Sequence, residues 1–185
     1  MGRTKTIDRD AVLDAAGAII HASGAAALTI DAVARAAGIS KGGVQSCFGT
    51  KDALIDALFE RWSASYEQCF HAVAGPAAGP RTRVRAHAEA TRRSDAVSSA
   101  KAAGLMAALL QSPEHLGSTR AWYAGRLAGL GAQSAADRRA RLAFYATEGA
   151  FMLRFFGLLE IDATEWDALF GDVAGLLDDL PDAAA

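Results

Sequence analysis

Apolar residues recur at intervals of three and four along most of the chain, which is the spacing of one face of an α-helix. The pattern predicts a first helix from about Arg9 to Ser23, with Asp8 as its cap. A short second helix follows the cap residue Thr29, and a third runs from about Lys41 to Cys47. Two short helices joined by a glycine-containing turn are the outline of a helix-turn-helix, so the sequence predicts that motif here.

A longer helix is predicted after the cap residue Thr50, where one apolar stripe continues for about five turns as far as Phe70. A Gly- and Pro-rich stretch at 72–80 then interrupts the pattern. Five more helices are predicted at about 82–94, 96–111, 113–130, 136–159 and 164–180. Alanine is abundant and β-branched residues are sparse, which favours helix over strand. The sequence therefore predicts an all-α protein of about nine helices.

The last two predicted helices carry more apolar surface than one core requires. In the first of them, one stripe comprises Leu142, Tyr145, Ala146, Gly149, Met152, Leu153 and Phe156, and a second comprises Phe144, Phe151, Phe155 and Leu159. The final helix repeats the pattern with Trp166, Leu169, Phe170, Val173, Leu176, Leu177 and Leu180. A helix that is apolar on two sides must bury both, so we expect these two helices to form a homodimer interface.

Composition and charge narrow the function classes. The 185 residues carry a formal net charge of -2 and are 51% hydrophobic, which is enough for a packed core and argues against global disorder. Arg3, Lys5 and Arg9 crowd the start, whereas eight acidic and no basic residues occur from Glu160 onward. The two ends are therefore expected to face different surroundings.

The sequence lacks the residues that several common kinds of site require. Two cysteines are too few for a disulfide framework and indicate a reducing compartment. No apolar run is long enough for a membrane span, and aspartates interrupt the basic start, so neither a membrane segment nor a secretion signal is predicted. The four histidines do not pair at ligand spacing, so we expect no metal and no other cofactor. These features predict a soluble cytoplasmic protein.

The third helix contains two adjacent glycines and carries the main candidate site. Helical spacing places Val44, Cys47 and Phe48 on a buried edge and leaves Lys41, Gly42, Gln45 and Ser46 facing out. In a helix-turn-helix the second helix enters the major groove of DNA, and glycines without a Cβ let the phosphate backbone approach closely. Ser40 is the expected helix cap.

The exposed side chains of the third helix can contact the bases and phosphates of a DNA double helix. Gln45 can pair bidentately with adenine and Ser46 can bond to several bases. Lys41, Lys51 and the amide-rich helix start after Thr50 suit phosphates. The predicted DNA-contacting residues are Arg3, Lys5, Thr29, Ser40, Lys41, Gly42, Gly43, Gln45, Ser46, Thr50 and Lys51.

Residues 29–54, TIDAVARAAGISKGGVQSCFGTKDAL, resemble the DNA-binding signature of the TetR family of transcriptional repressors. The matching positions are Thr29, Ile30, Val33, Ala34, Ala37, Gly38, Ser40, Lys41, Gly42, Phe48, Thr50, Lys51 and Leu54. The resemblance implies three small DNA-binding helices, a linking fourth helix, a divergent ligand-binding domain, and a homodimer formed mainly by the last two helices. It also implies repression of a promoter that a small molecule relieves.

On this basis we expect a helix-turn-helix DNA-binding domain at 1–48 and a linking, ligand-binding and dimerisation domain at 49–185, with a palindromic double-stranded operator as partner. Members of the family usually carry a tyrosine, and often a second aromatic or a histidine, where this chain has Gln45, Ser46 and Cys47. Because Gln45 cannot reproduce a phosphate-gripping ring, we expect it to read bases instead.

The effector site has candidates but no matching signature. They are His87, Thr91, Met106, Leu109, Leu110, Trp122, Tyr123, Phe144, Tyr145, Glu148, Phe151 and Met152. Aromatic and Met residues at helical spacing also occur as plain core, so both interpretations stay open. Glu148 lies among phenylalanines and needs a partner, either an arginine such as Arg120 or Arg126 or a polar or cationic ligand atom.

Three further interpretations complete the prediction. Residues 38–42, GISKG, formally match the nucleophile-elbow pattern of hydrolases, but a helix rather than a strand is predicted before them, so no catalytic residue is assigned. A DNA-binding dimer without a ligand and a small helical enzyme remain the alternatives to a ligand-responsive repressor. The five arginines of the run 81–93 are interpreted as a solvated helix face, and the alternative is that some of them help an interdomain contact.

Overall fold

A computed structural model describes residues 7–110 and 116–178, and the predicted DNA contacts Arg3 and Lys5 lie outside these ranges. Within them the chain forms nine α-helices, one 3₁₀ turn at Ala25–Ala27 and no strand. The helices are α1 Arg9–Ser23, α2 Ile30–Ala36, α3 Lys41–Phe48, α4 Lys51–Ala74, α5 Pro80–Arg93, α6 Ala96–Leu109, α7 Gly117–Leu127, α8 Ala135–Phe155 and α9 Ala163–Leu177. The all-α prediction is confirmed.

The predicted helix caps are confirmed by their hydrogen bonds. The backbone N–H groups of Asp10 and Ala11 donate to the Asp8 carboxylate at the start of α1. Thr29 Oγ1 accepts from the third residue beyond it at 3.0 Å, and Ser40 and Thr50 do the same at 3.1 Å each. Each cap satisfies a backbone donor that the first helical turn leaves without a partner.

Helix ends differ from the predictions where a glycine or proline intervenes. Helix α8 stops at Phe155 rather than near residue 159, because Gly157 adopts a left-handed φ of 70° and the next two N–H groups turn back to the carbonyl of Leu153. Helix α5 begins at Pro80, which lacks the N–H that a first helical residue does not need. The predicted start at Pro113 lies outside the described residues.

The chain divides into two compact units, Met1–Trp62 with Gly104–Leu116, and Ser63–Ala103 with Gly117–Ala185. Helices α4 and α6 each contribute residues to both units. The boundary expected after residue 48 stays a prediction.

The core of the first unit joins α1, α2, α3 and the first half of α4. Its most deeply buried apolar side chains are Val12, Leu28, Val33, Val44, Leu54 and Leu58, and Leu105 and Leu109 of α6 belong to the same cluster. The short helices α2 and α3 are therefore held by packing, since helices of this length are marginal alone in water.

The core of the second unit joins α5, α8 and α9. Trp166 packs on Phe155 and Phe170 at ring-centroid distances of 5.8 and 4.7 Å, and its indole N–H donates to the carbonyl of Arg92. Phe170, Val173 and Leu177 are buried in the same cluster. Most of the apolar stripe of α9 therefore lies inside its own unit, which corrects the expectation that this stripe is left over for a dimer.

Several arginines of the run 81–93 contact neighbouring elements of the second unit, although Arg85 and Arg93 are exposed. Arg81 is largely buried and forms an ion pair with Asp137 at 2.9 Å. Arg83 donates to the carbonyls of Ala78 and Ala128, and Arg85 to that of Leu177. These arginines tie α5 to α8, α9 and the loop after α7, because a guanidinium has several donors for carbonyl and carboxylate oxygens. The interpretation as a solvated face is therefore corrected for Arg81 and Arg83, whereas Arg85 is exposed.

Two other features are absent from the part of the chain that the structure describes. None of its helices is both long and apolar enough to cross a bilayer. In the same residues no three His, Cys, Asp or Glu side chains converge as metal ligands.

We expect Leu58→Ala to lower the free energy of unfolding by about 2–5 kcal/mol, because Leu58 is fully buried in the first unit and truncation leaves a cavity. Leu110 is 58% exposed in the same unit and is the matched control, with an expected change within roughly 0.5 kcal/mol for Leu110→Ala. Urea unfolding followed by circular dichroism at one fixed protein concentration measures both. Equal losses in the two variants would contradict the core described above.

Candidate nucleic-acid interface and buried polar cluster

Helix α3 has one buried and one exposed edge, as its periodicity predicts. Val44 and Phe48 are buried and Cys47 is half-buried. The opposite edge exposes Lys41, Gly42, Gln45 and Ser46. These four residues are called the reading edge below. An exposed edge on a helix held from behind is the geometry that a major-groove helix requires.

The two glycines of α3 have different surroundings. A Cβ on Gly42 would meet nothing within 4 Å, so this position is open as expected. Gly43 is buried, and a Cβ there would stand 2.9 Å from Ile7 Cδ1 and 3.3 Å from Ser40 Oγ. The expectation that both glycines open the helix towards a phosphate backbone is therefore corrected for Gly43. Its missing side chain makes room for Ile7.

The polar groups around the reading edge have local partners but keep hydrogen-bond donors that are available to DNA. Lys41 Nζ lies 3.2 Å from Asp31 Oδ2, and both side chains are 56% exposed. Ion pairs this exposed contribute little free energy, so Lys41 can exchange the carboxylate for a phosphate. The capping hydroxyls of Thr29, Ser40 and Thr50 accept hydrogen bonds and keep their own O–H groups as donors. Lys51 is half-buried at the start of α4.

The second unit holds a group of hydrogen-bonding side chains, Tyr66, His87, Tyr123 and Glu148, which we call the buried polar cluster. His87 is 1% exposed, and its Nδ1 lies 2.7 Å from the Tyr66 hydroxyl. The Tyr123 hydroxyl donates to Glu148 Oε2 at 2.6 Å. His87 Nε2 lies 2.9 Å from Glu148 Oε1 without the alignment of a hydrogen bond.

The protonation of the cluster follows from burial. Burial raises the pKa of the Tyr66 hydroxyl far above its usual value, and burial together with the Glu148 charge does the same to the pKa of Tyr123. Both hydroxyls are therefore neutral donors at pH 7. A ring nitrogen this close to a carboxylate oxygen is favourable only when it carries a proton, which assigns a proton to His87 Nε2. Its N–H is the least satisfied donor of the cluster.

Aromatic rings surround the cluster. Phe144 stacks on the His87 ring at 4.6 Å between centroids, and Trp122 meets the same ring edge-on at 6.0 Å. Arg126 lies over Phe70 at 3.7 Å and over Trp122 at 4.6 Å from the ring centroids. These contacts enclose a carboxylate and a guanidinium in an apolar shell, where each must be compensated.

The charges are compensated within the unit, but not by the pairing that the sequence suggested. Arg126 pairs with Glu67 at 2.6 Å, and the Trp122 indole N–H donates to the same carboxylate at 2.9 Å. Glu148 contacts His87 and Tyr123 instead of Arg120 or Arg126, which corrects that expectation. Arg126 therefore pairs with Glu67, which lies far from Glu148 in the sequence.

The twelve expected effector residues do not lie together. His87, Trp122, Tyr123, Phe144 and Glu148 converge, and Thr91 donates to the His87 carbonyl at 2.9 Å. Of the rest, Met106, Leu109 and Leu110 belong to the first unit, Tyr145 is exposed, and Phe151 and Met152 are half-buried. Tyr66 belongs to the buried polar cluster and the Glu67–Arg126 pair lies beside it, and none of these three is among the residues predicted from the sequence as effector contacts. Tyr66 has the spacing of the apolar stripe of α4, so its hydroxyl was not given a role.

Within the part of the chain that the structure describes, helix α8 leaves three apolar side chains of one face exposed. Leu142, Tyr145 and Leu153 lie at helical spacing and are 56%, 52% and 41% exposed. Isolated apolar side chains at a surface are ordinary, but a stripe along one helix marks an interaction surface.

Two family models match the chain. The model described as bacterial regulatory proteins, tetR family, matches residues 12–58, and the model described as tetracyclin repressor-like, C-terminal domain, matches residues 81–178. No match was found among curated proteins.

Solved structures share the fold. A TetR-like transcriptional regulator from Rhodococcus sp. RHA1 is 20% identical with a TM-score of 0.61, and covers 96% of each chain. The TetR family transcriptional regulator PfmR from Thermus thermophilus is 18% identical with a TM-score of 0.59, over 95% of this chain and 98% of that one. The fatty acid degradation regulator FadR from Bacillus halodurans is 18% identical with a TM-score of 0.57, over 94% and 100%.

Members of the TetR family bind DNA operators as dimers and are typically repressors that respond to a ligand. The second family model by itself matches more than half of the chain, and the first covers the helix-turn-helix that carries the reading edge. The chain therefore belongs to the TetR family of DNA-binding transcriptional regulators.

Proposed function

We propose that this regulator is a homodimeric repressor whose two reading edges contact a palindromic operator and which a small molecule releases from DNA. The observation that carries the proposal is the exposed edge of α3, backed by a buried one. The regulator acts on genomic DNA, so we place it in the cytoplasm. We propose no enzymatic activity, and the use of the Ser40 hydroxyl as a helix cap supports this.

Each side chain of the reading edge has a proposed task. Gln45 pairs with an adenine edge and Ser46 with a neighbouring base. Lys41, Lys51 and the hydroxyl groups at the helix starts contact phosphates and set the register. Two such helices about 34–36 Å apart match half-sites one helical turn apart.

The proposed dimer uses α8 and α9. The outward stripe of Leu142, Tyr145 and Leu153 supplies apolar area. On α9, Gly171 and Gly175 are exposed, and a Cβ on either would meet nothing within 4 Å, so a second helix can approach closely. This face of α9 differs from the stripe predicted from the sequence.

The proposed effector site is the buried polar cluster with its aromatic shell. An apolar ligand body would pack against the rings of Trp122 and Phe144. A cationic or donor atom of the ligand would meet Glu148, and an acceptor atom would meet the His87 Nε2–H. The poorly aligned contact between these two side chains supports a place for such an atom. Release from DNA requires that the ligand bind the DNA-free arrangement more tightly than the DNA-bound one.

We expect Gln45→Ala to relax base preference at one operator position by about 1–3 kcal/mol. We expect Lys51→Ala to weaken binding to all sites alike and to reduce the slope of log affinity against log salt concentration by about 1. Fluorescence anisotropy with fragments pulled down from genomic DNA measures both at several salt concentrations. If both variants bound like the wild type, the assignment of the reading edge would be wrong.

We expect the double substitution Leu142→Glu with Leu153→Glu to weaken the dimer by at least tenfold, because it buries charge in an apolar contact. Val97 is 66% exposed on α6 and outside the proposed face, so Val97→Glu is the control and should leave dimerisation unchanged. Sedimentation velocity over a range of protein concentrations gives the dissociation constants. An unchanged dimer in the double variant refutes this interface.

The effector site is tested by compounds that displace the wild-type protein from its operator in a metabolite library. We expect the Glu148→Gln variant to require at least tenfold higher concentrations of these compounds for displacement from the operator, because the substitution removes the charge of the side chain but keeps its shape. Glu160 is exposed in the same unit, so Glu160→Gln is the matched control. Equal responses of the three proteins would place the ligand elsewhere, whereas a library without any active compound would count against ligand control.

A further inference from the structure

The side chain of Asp31 contacts the reading edge. Asp31 lies in the first turn of α2, and its Oδ2 is 3.2 Å from Nζ of Lys41, the first residue of α3. Asp10 and Asp14 of α1 instead pair with Arg61 of α4. The Asp31 carboxylate therefore neutralises the positive charge of the reading edge before any DNA is bound.

The fold gains little from this ion pair. Both side chains are 56% exposed, and water and salt weaken ion pairs at a surface. An acidic residue in the first turn of a helix interacts favourably with the helix dipole wherever its side chain points. The dipole thus accounts for an acidic residue in the first turn of α2, but not for its contact with Lys41.

The pair bears directly on DNA binding. A phosphate and the Asp31 carboxylate are both anions, and both need the same ammonium group of Lys41. When Lys41 binds a phosphate it leaves the carboxylate, so the free energy of the broken ion pair is subtracted from that of the new contact. The phosphates of every sequence meet the same competitor, because phosphate contacts carry no sequence information.

We propose that Asp31 is an intramolecular competitor of the DNA backbone, which lowers the affinity of the regulator for DNA by holding Lys41. The inference rests on the phosphate contact proposed for Lys41. A lower affinity for every sequence leaves the base preference to Gln45 and Ser46. It also means that a ligand needs a smaller difference in affinity between the free and DNA-bound states to release the regulator.

The variant Asp31→Asn tests the proposal, because it removes the carboxylate charge and keeps the size of the side chain. We expect it to raise DNA affinity by about 1.4- to fivefold per subunit, which is the range that an exposed ion pair is worth. Fluorescence anisotropy measures the affinity for a fragment pulled down from genomic DNA and for a duplex of the same composition in shuffled order. The gain should be similar on both duplexes and should shrink as salt is added, since salt screens the ion pair.

A double-mutant cycle separates this competition from simple repulsion between Asp31 and DNA. Repulsion alone would give Asp31→Asn the same gain whether or not Lys41 is present. Competition requires a smaller gain in the Lys41→Ala background, where there is no ammonium group to release. Asp31→Glu keeps a carboxylate within reach of Lys41 and should bind DNA like the wild type.

Asp10→Asn is the matched control. Asp10 is an exposed aspartate of the first unit, and its ion-pair partner is Arg61. The control makes the same change in net charge and should show no coupling to Lys41→Ala. Thermal unfolding of every variant is measured alongside, so that a loss of folded protein is recognised.

Two results would overturn the inference and are distinguishable. If Asp31→Asn gives no gain, or the same gain in both backgrounds, Asp31 does not compete for Lys41, and the phosphate contact of Lys41 stands. If Lys41→Ala leaves DNA affinity unchanged, Lys41 contacts no phosphate and there is nothing to compete for. The proposed function is then decided separately by the Gln45 and Lys51 variants.

Discussion

Every DNA contact proposed for α3 depends on the burial of Val44 and Phe48, because this helix is only eight residues long and could not persist in water by itself. The capping hydroxyl of Ser40 orders its first turn, and Gly43 brings it against Ile7. With Gly43, Val44 and Phe48 buried, the opposite edge of the helix stays open. That edge can be polar and glycine-containing without loss of the fold, since neighbouring helices supply the stability.

The second unit follows a different constraint, which is the compensation of buried charge. Glu67 and Arg126 form an ion pair beside the rings of Phe70 and Trp122, while Glu148 accepts from the Tyr123 hydroxyl and lies 2.9 Å from a His87 ring nitrogen. A carboxylate without a guanidinium partner can exchange its contacts for a ligand more readily than one held by a guanidinium. This difference makes Glu148, rather than Glu67, the better candidate for sensing a small molecule.

The arginines of α5 show that charged side chains can hold a helix against its neighbours. Arg81, Arg83 and Arg85 reach Asp137 and backbone carbonyls at the ends of neighbouring helices, where helices have acceptors without internal partners. They tie α5 to its neighbours through polar contacts. A sequence interpretation that assigns charge to solvent and apolar residues to the core misses this arrangement.

The sequence by itself determined the features that arise within one helical turn. The caps at Asp8, Thr29, Ser40 and Thr50 and the two edges of α3 follow from spacings of three or four residues, so the all-α fold and the reading edge were predictable. Only the tertiary structure decided that Gly43 receives Ile7, that His87 and Tyr123 meet Glu148, and that α9 buries its large apolar stripe. The physical reason is that these contacts join residues far apart in the chain, and helical periodicity says which face is buried but not which side chain covers it.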